Sequence, residues 1–239
     1  MTSYELLLLI NNKAKDNIEK IQTLGKMDEI SKCLTFTDDL QKWISKCGSF
    51  SAFPLVVEAQ DKCVTSIFLC AQGFYKAAIS SLRQSLEHML FAVLLSTNDY
   101  RHRQWAAGQF DMSWTQTMDP DNGVFGKCFI KMYAKDLDER STELLTLAKN
   151  TYRECSEYIH GNYGKLTKLS EKLEFEENSL ICFLDYFDNV RYLFCMALLI
   201  RFRYIFDDKD VIQELEPVIM GNLQTLSEVQ DIYNKVDEE

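Results

Sequence analysis

Tight-turn residues are scarce in this chain: 3 prolines and 9 glycines among 239 residues, against usual levels of about 5% and 7%. A β-sandwich, a barrel or a Rossmann-type alternation needs a turn roughly every ten residues, so the scarcity argues against each of them. The 8 cysteines, Cys33, Cys47, Cys63, Cys70, Cys128, Cys155, Cys182 and Cys195, form no C-x-x-C pair. That removes a zinc ribbon and a thioredoxin motif and leaves buried thiols of a reducing compartment. Tyr192 to Ile200, between Arg191 and Arg201, is the longest uncharged apolar run after the N-terminus and is about half of a membrane span. The opening segment Met1-Thr-Ser-Tyr-Glu-Leu-Leu-Leu-Leu-Ile10 lacks the positive n-region and cleavage site of a signal peptide. These features predict a cytoplasmic protein with no membrane contact. Basic residues are also in deficit, 26 against 36 acidic, for a net charge of −10. Coating duplex nucleic acid draws on many cations, so this balance argues against it while leaving room for a small basic site. No nucleophile elbow, phosphate-binding glycine loop or dinucleotide fingerprint occurs, and no cofactor is expected.

What is present is a 46% apolar share, enough to fill a core, arranged at helical spacing. From Tyr4 to Leu24, Leu7, Ile10, Ala14, Ile18 and Ile21 recur at three and four, predicting an amphipathic helix that ends at Gly25. A shorter helical stretch covers about Met27 to Cys47. Pro54 suits a first helical position and opens the next helix, to about Cys70. A further helix runs from about Tyr75 to Leu95, with Gly73 at the join of a helical hairpin. Asp119-Pro-Asp-Asn-Gly123 is a strong turn signal; a calcium loop would need a carboxylate near Ile130 and a glycine one place later, so that reading is set aside. Helical periodicity returns over Val124 to Ala134 and from Asp136 to about His160. Ser179 to Phe206 is apolar on nearly every side, which places it at the centre of the fold. After Asp207 a last helix, restarting at Pro217, carries a stripe from Ile212 to Val236 in which Asn222 is the one polar position. A stripe this short packs on its own domain more often than it forms a coiled coil.

The informative stretch is Tyr152-Arg-Glu-Cys-Ser-Glu-Tyr-Ile-His-Gly-Asn-Tyr-Gly164. Arg153 and His160 stand seven apart, within roughly 20° on one helical face and about 10 Å along it. Ser156 and Glu157 lie on the same side, and Asn162 follows where the chain leaves the helix. An imidazole moves protons near neutral pH and a guanidinium holds a phosphate, the two functions that metal-independent RNA cleavage requires. The same spacing also suits an Arg153–Glu157 ion pair with His160 capping the helix end. On the helix from Tyr75 to Leu95, Arg83 and Glu87 share angles with Leu90 and Leu94, and a charged pair in an apolar sector needs partners. If this helix packs on the one ending at His160, Glu87 orients the imidazole or Arg83 adds a second cation; an intrahelical ion pair is the alternative. Glu157-x-x-His160 is half of a di-iron motif whose second half is missing. Arg101-His-Arg103 with Trp105 is either a nucleic-acid contact or a solvated face. Lys165, Lys168 and Lys172 make the rim beyond the motif locally basic, and Glu171, Glu174, Glu176 and Glu177 offset them.

Arg153 to His160, with six residues between, resembles the R-x4-6-H signature of the HEPN superfamily of helical proteins. The run Gly73-Phe-Tyr-Lys-Ala-Ala-Ile-Ser-Ser-Leu-Arg-Gln-Ser-Leu-Glu-His88 followed by Ser156-Glu-Tyr-Ile-His-Gly161 is similar to bacterial HEPN-like proteins. The resemblance implies an all-α helical bundle, frequent homodimers, metal-independent endoribonuclease activity in many members, and roles in antiviral defence and toxin systems. His160 would then be the general acid or base and Arg153 the phosphate ligand of a site composed across the dimer. Glu154 stands where active families place Asn, Asp or His after the arginine, and it would repel a phosphate if it pointed inward. The expectation is one all-α domain over 1–239: a HEPN-like core at about 55–205, N-terminal helices in 1–50 and a C-terminal helix at 208–236 packed on it. The leading functional expectation is an endoribonuclease acting on RNA, with a protein partner from the same defence or toxin system. The other is a non-catalytic dimerisation or partner-binding protein with the same fold.

Overall fold

The computed structural model describes residues 1–48, 52–159, 169 and 173–237. Its described residues form eleven α-helices and no strand: α1 (Ser3–Thr23), α2 (Met27–Lys46), α3 (Phe53–Ala71), α4 (Tyr75–Leu95), α5 (Asp99–Ala106), α6 (Trp114–Thr117), α7 (Lys127–Tyr133), α8 (Ser141–Ile159), α9 (Glu177–Arg201), α10 (Lys209–Leu223) and α11 (Ser227–Asp237). Short 3-10 segments cover Lys135–Arg140 and Arg203–Asp207. The chain is all-α.

The centre is the α3–α4 hairpin with α8 and α9 laid against it. Pro54 stands in the first turn of α3, where its missing N–H costs no helical bond. Two serines set the register of the hairpin: Ser81 donates to the Lys62 carbonyl (2.9 Å) and Ser85 to the Ala59 carbonyl (2.6 Å). Rising numbers on one helix meet falling numbers on the other, so the pair is antiparallel, and the small side chains permit close approach. At the bend Gly73 has φ +89°, and a Cβ there would stand 2.6 Å from the Asn17 amide nitrogen. That amide donates to the Gln72 carbonyl (2.8 Å), tying α1 to the bend. α9 buries one face of its first half and every side of Leu193 to Ile200, Phe183, Phe187, Phe194 and Leu198 being almost fully excluded from solvent. One continuous apolar cluster runs from Ile21 to Ile232. All eight thiols are free, six of them buried; burial raises Cys33, Cys47, Cys63 and Cys195 to about 12, as unreactive core thiols.

One burial pattern and two boundaries differ from the sequence reading. Only Ala14 and Ile21 of the five-residue stripe on α1 are buried, with Ile18 half-buried, while Leu7 and Ile10 are exposed; every side chain of α1 before Ala14 is exposed. The helix expected from Asp136 begins at Ser141, because Lys135–Arg140 tightens into 3-10 turns. The C-terminal helix expected over 208–236 is two helices. α10 carries Pro217 in its interior instead of starting there, and the break falls after Leu223. Bending at that point lets Arg140 clamp both oxygens of Glu228 with the Nε–Nη2 edge of its guanidinium (2.7 and 2.8 Å) and lets Arg191 reach Asn222 (3.2 Å). The one polar position of the stripe is therefore a hydrogen-bond acceptor for α9.

Candidate functional site

α8 turns Leu144, Ala148 and Cys155 into the core, and this leaves two polar flanks and an outer face. On the flank toward α4, the Arg83 guanidinium pairs with Glu87 (3.2 Å) and donates to the Tyr152 hydroxyl (2.8 Å). Trp114 stacks on the Tyr152 ring at 4.0 Å and 15°, and the Ser156 hydroxyl donates back to the Tyr152 carbonyl (2.7 Å). Burial, then the Glu87 carboxylate, raises the Tyr152 hydroxyl above its ordinary range, so the phenol stays protonated. The intrahelical ion pair thus forms, and α4 packs on α8 through it. Arg83 is engaged by Glu87 and Tyr152 and supplies no second cation to a phosphate. Next to it, burial lowers His88 below its usual value despite Glu58 and Glu87 nearby, and its Nδ1 is buried with no partner among the described residues.

The opposite flank faces α9. There the Tyr186 hydroxyl donates to the Glu154 carboxylate (2.9 Å), and Tyr158 and Cys182 are 3.5 Å apart, oxygen to sulfur. Burial pushes both phenols well up. Glu154 is thereby held toward α9, about 100° around the helix from Arg153, and does not oppose an anion at Arg153. A hollow of about 370 Å³ opens beside it, between Glu154, Asn178, Cys182, Asp185 and Tyr186.

Arg153 lies on the outer face, exposed, with Lys149 one turn before it and half-buried Glu157 one turn after. The Arg153–Glu157 ion pair that the spacing allows does not form among the described residues. Seven of the eight arginines, Arg83, Arg101, Arg103, Arg140, Arg191, Arg201 and Arg203, bond to or stack on a described neighbour. Arg153 has no hydrogen bond, ion pair or ring contact among the described residues. His160, Asn162, Gly161, Gly164 and the lysines at 165, 168 and 172 lie outside the described residues. No group of three or more metal-ligating side chains occurs among the described residues, and no described helix is long and apolar enough to cross a membrane. The structure brings Arg83 and Glu87 together with Ser156 at one flank and sets Arg153 and Glu157 apart from them on the outer face. Sequence reasoning missed Tyr152 and Trp114, which complete the α4 flank. The signal for Tyr152 was its place four residues before Ser156; Trp114 gave none, being brought in by a loop. In comparisons with known proteins, no family model, curated protein or solved structure matches the chain.

Proposed function

We propose that the chain is a HEPN-like, metal-independent endoribonuclease of a bacterial defence or toxin system, acting as a homodimer. The observation that supports it is Arg153. An exposed arginine without a carboxylate partner among the described residues, in a chain of net charge −10, is available to an anion, and a guanidinium matches the oxygens of a phosphate. The turn of Glu154 toward Tyr186 takes the carboxylate adjacent in sequence away from such a ligand, and Glu157, one turn on, makes no ion pair with Arg153. In the reaction the ribose 2′-hydroxyl loses its proton to a base and its oxygen attacks phosphorus. The bond from phosphorus to the 5′-oxygen breaks, and that oxygen takes a proton. His160 is assigned the proton transfers and Arg153 the charge that builds on the phosphoryl oxygens.

Purified protein should cut single-stranded RNA in EDTA and leave 2′,3′-cyclic phosphate ends. Arg153→Ala and His160→Ala should each lower the rate constant about 10²–10³-fold, with the helical content unchanged. Uncut RNA with the wild-type chain, or undiminished cleavage in either variant, would sink the assignment.

A second reading is favoured by another observation. The first turns of α1 expose Tyr4, Leu6, Leu7, Leu8, Leu9 and Ile10, although a Thr2–Glu5 capping box builds the helix start firmly. Phe53, Val57, Val64 and Phe68 of the adjoining α3 are exposed as well. Exposed large apolar residues in such number mark a surface for association. In this reading the occupant is a second copy, and the protein works by self-association without catalysis. Light scattering should then give a dimer mass that Leu7→Glu converts to a monomer; a wild-type monomer at micromolar concentration would remove it.

A further inference from the structure

The C-terminal end of α4, helix α5 and the loop that carries α6 enclose a hollow of about 350 Å³, within the usual range of small-ligand sites. Its apolar wall is built by Phe91, Leu94, Leu95 and Phe110, the two phenyl rings standing 6.2 Å apart and 29° from parallel. Arg101 also lines it, its guanidinium 4.9 Å from the centre of the Phe110 ring. One of its five N–H donors goes to Gln104 (3.2 Å). The acidic side of the hollow is Asp119, with Asn122 and Gln116 beside it.

Asp119 is set rigidly. Its Oδ1 accepts the backbone N–H groups of Asp121 (3.0 Å) and Asn122 (2.7 Å). The turn closes through Gly123, whose N–H donates to the Asp119 carbonyl (3.0 Å). A Cβ at Gly123 would stand 2.4 Å from the Thr117 carbonyl oxygen, so the glycine is required for the closure. These backbone donors, with Lys149 of α8 contributing, hold the Asp119 carboxyl below its ordinary range. Its other oxygen, Oδ2, accepts no hydrogen bond among the described residues. The Asp119-to-Gly123 segment, which as sequence is only a turn, therefore presents a fixed, ionised acceptor to an apolar slot that also holds a guanidinium.

We propose that this hollow binds a nucleobase, guanine being the base that matches it best. Every base offers a flat π-face to an aromatic and guanidinium wall. Guanine alone combines adjacent N–H donors, which a carboxylate accepts, with the O6 and N7 acceptors that arginine reads. The hollow lies toward α8: Trp114, from the same loop, stacks on Tyr152 of the α4 flank, and Lys149, which acts on the Asp119 carboxylate, stands one turn ahead of Arg153. A base held here would leave its chain running toward Arg153, so the site would select a guanine next to the cleaved phosphate. That placement rests on the ribonuclease reading, whereas binding of the base does not.

Isothermal titration of the full chain with the four mononucleotides tests it. The guanine nucleotide should bind at least tenfold more tightly than the other three. Asp119→Asn keeps the turn-forming side chain and should weaken that binding tenfold or more, as should Arg101→Ala. No binding at millimolar guanine nucleotide, equal binding of all four, or an Asp119→Asn variant that binds as well as wild type would overturn the proposal. So would a free amino acid that displaces the nucleotide at lower concentration, since a carboxylate and a guanidinium also suit a zwitterion. Guanine binding with RNA left uncut would overturn the ribonuclease reading alone. RNA cut with no preference for guanine, alongside absent nucleotide binding, would overturn the pocket alone.

Discussion

α9 and the first half of α1 are both rich in large apolar residues on every side, and they end in opposite environments. Phe187, Phe194 and Leu198 of α9 are at most 1% exposed, whereas Leu7 of α1 is 65% exposed. Composition does not separate them. α9 packs on α4, α8, α2 and α10, and from Leu193 to Ile200 each side of it meets a neighbour. α1 has buried side chains only from Ala14 onward, where Asn17 bonds the α3–α4 bend. An all-round apolar helix therefore reads as core only when there are enough helices to surround it; otherwise it marks a surface available for association.

The contrast can be pressed at decreasing cost. Phe194→Ala opens a cavity at the centre of α9 and should cost about 3–5 kcal/mol, read as a fall of roughly 6–20 °C in Tm. A loss within the scatter of surface substitutions would mean that α9 is not the central element. Next comes the clamp that holds α11 to the body. The Arg140 guanidinium keeps the Glu228 carboxyl down at about 2, against an ordinary 4.5. A carboxyl held low in the fold stabilises it above the unfolded value and loses that contribution as pH falls from 4.5 toward 2. Glu228→Gln should cost about 1–2 kcal/mol at neutral pH and flatten the acid limb of a urea-midpoint profile over that window; an unchanged limb would show the pair to be idle. Leu7→Ala should then shift stability by less than about 0.5 kcal/mol, in contrast to the same truncation in α9. A large loss there would show that a partner chain already covers α1. Smallest of all, Arg153→Ala should leave Tm within error, because the guanidinium contacts no described neighbour; a clear drop would mean that it serves the fold instead of a ligand.

Much of the fold was legible as sequence. Pro54 opens α3, Gly73 marks the hairpin bend, and the aromatic run from Ser179 to Phe206 is central. Each depends on local backbone preference or on a period that neighbours in the chain define. Less of the site was legible. Arg83 and Glu87 were recognisable as a pair in an apolar sector, but Tyr152, which accepts a hydrogen bond from Arg83, is 69 residues away. Trp114 joins them from α6, a helix of four residues, too short to carry a periodic signal. The direction taken by Glu154 depended on Tyr186 of α9, a partner that no spacing within its own helix could indicate.

The scarcity of turn-formers and the three-and-four apolar spacing, both local properties, were sufficient to determine an all-α protein and most of its helix order. Whether a stripe is covered, and whether an arginine is paired or left open, was decided only in three dimensions. Those outcomes depend on where other helices end. The same leucine-rich pattern is core in α9 and bare in α1 because burial belongs to the pair of surfaces that meet.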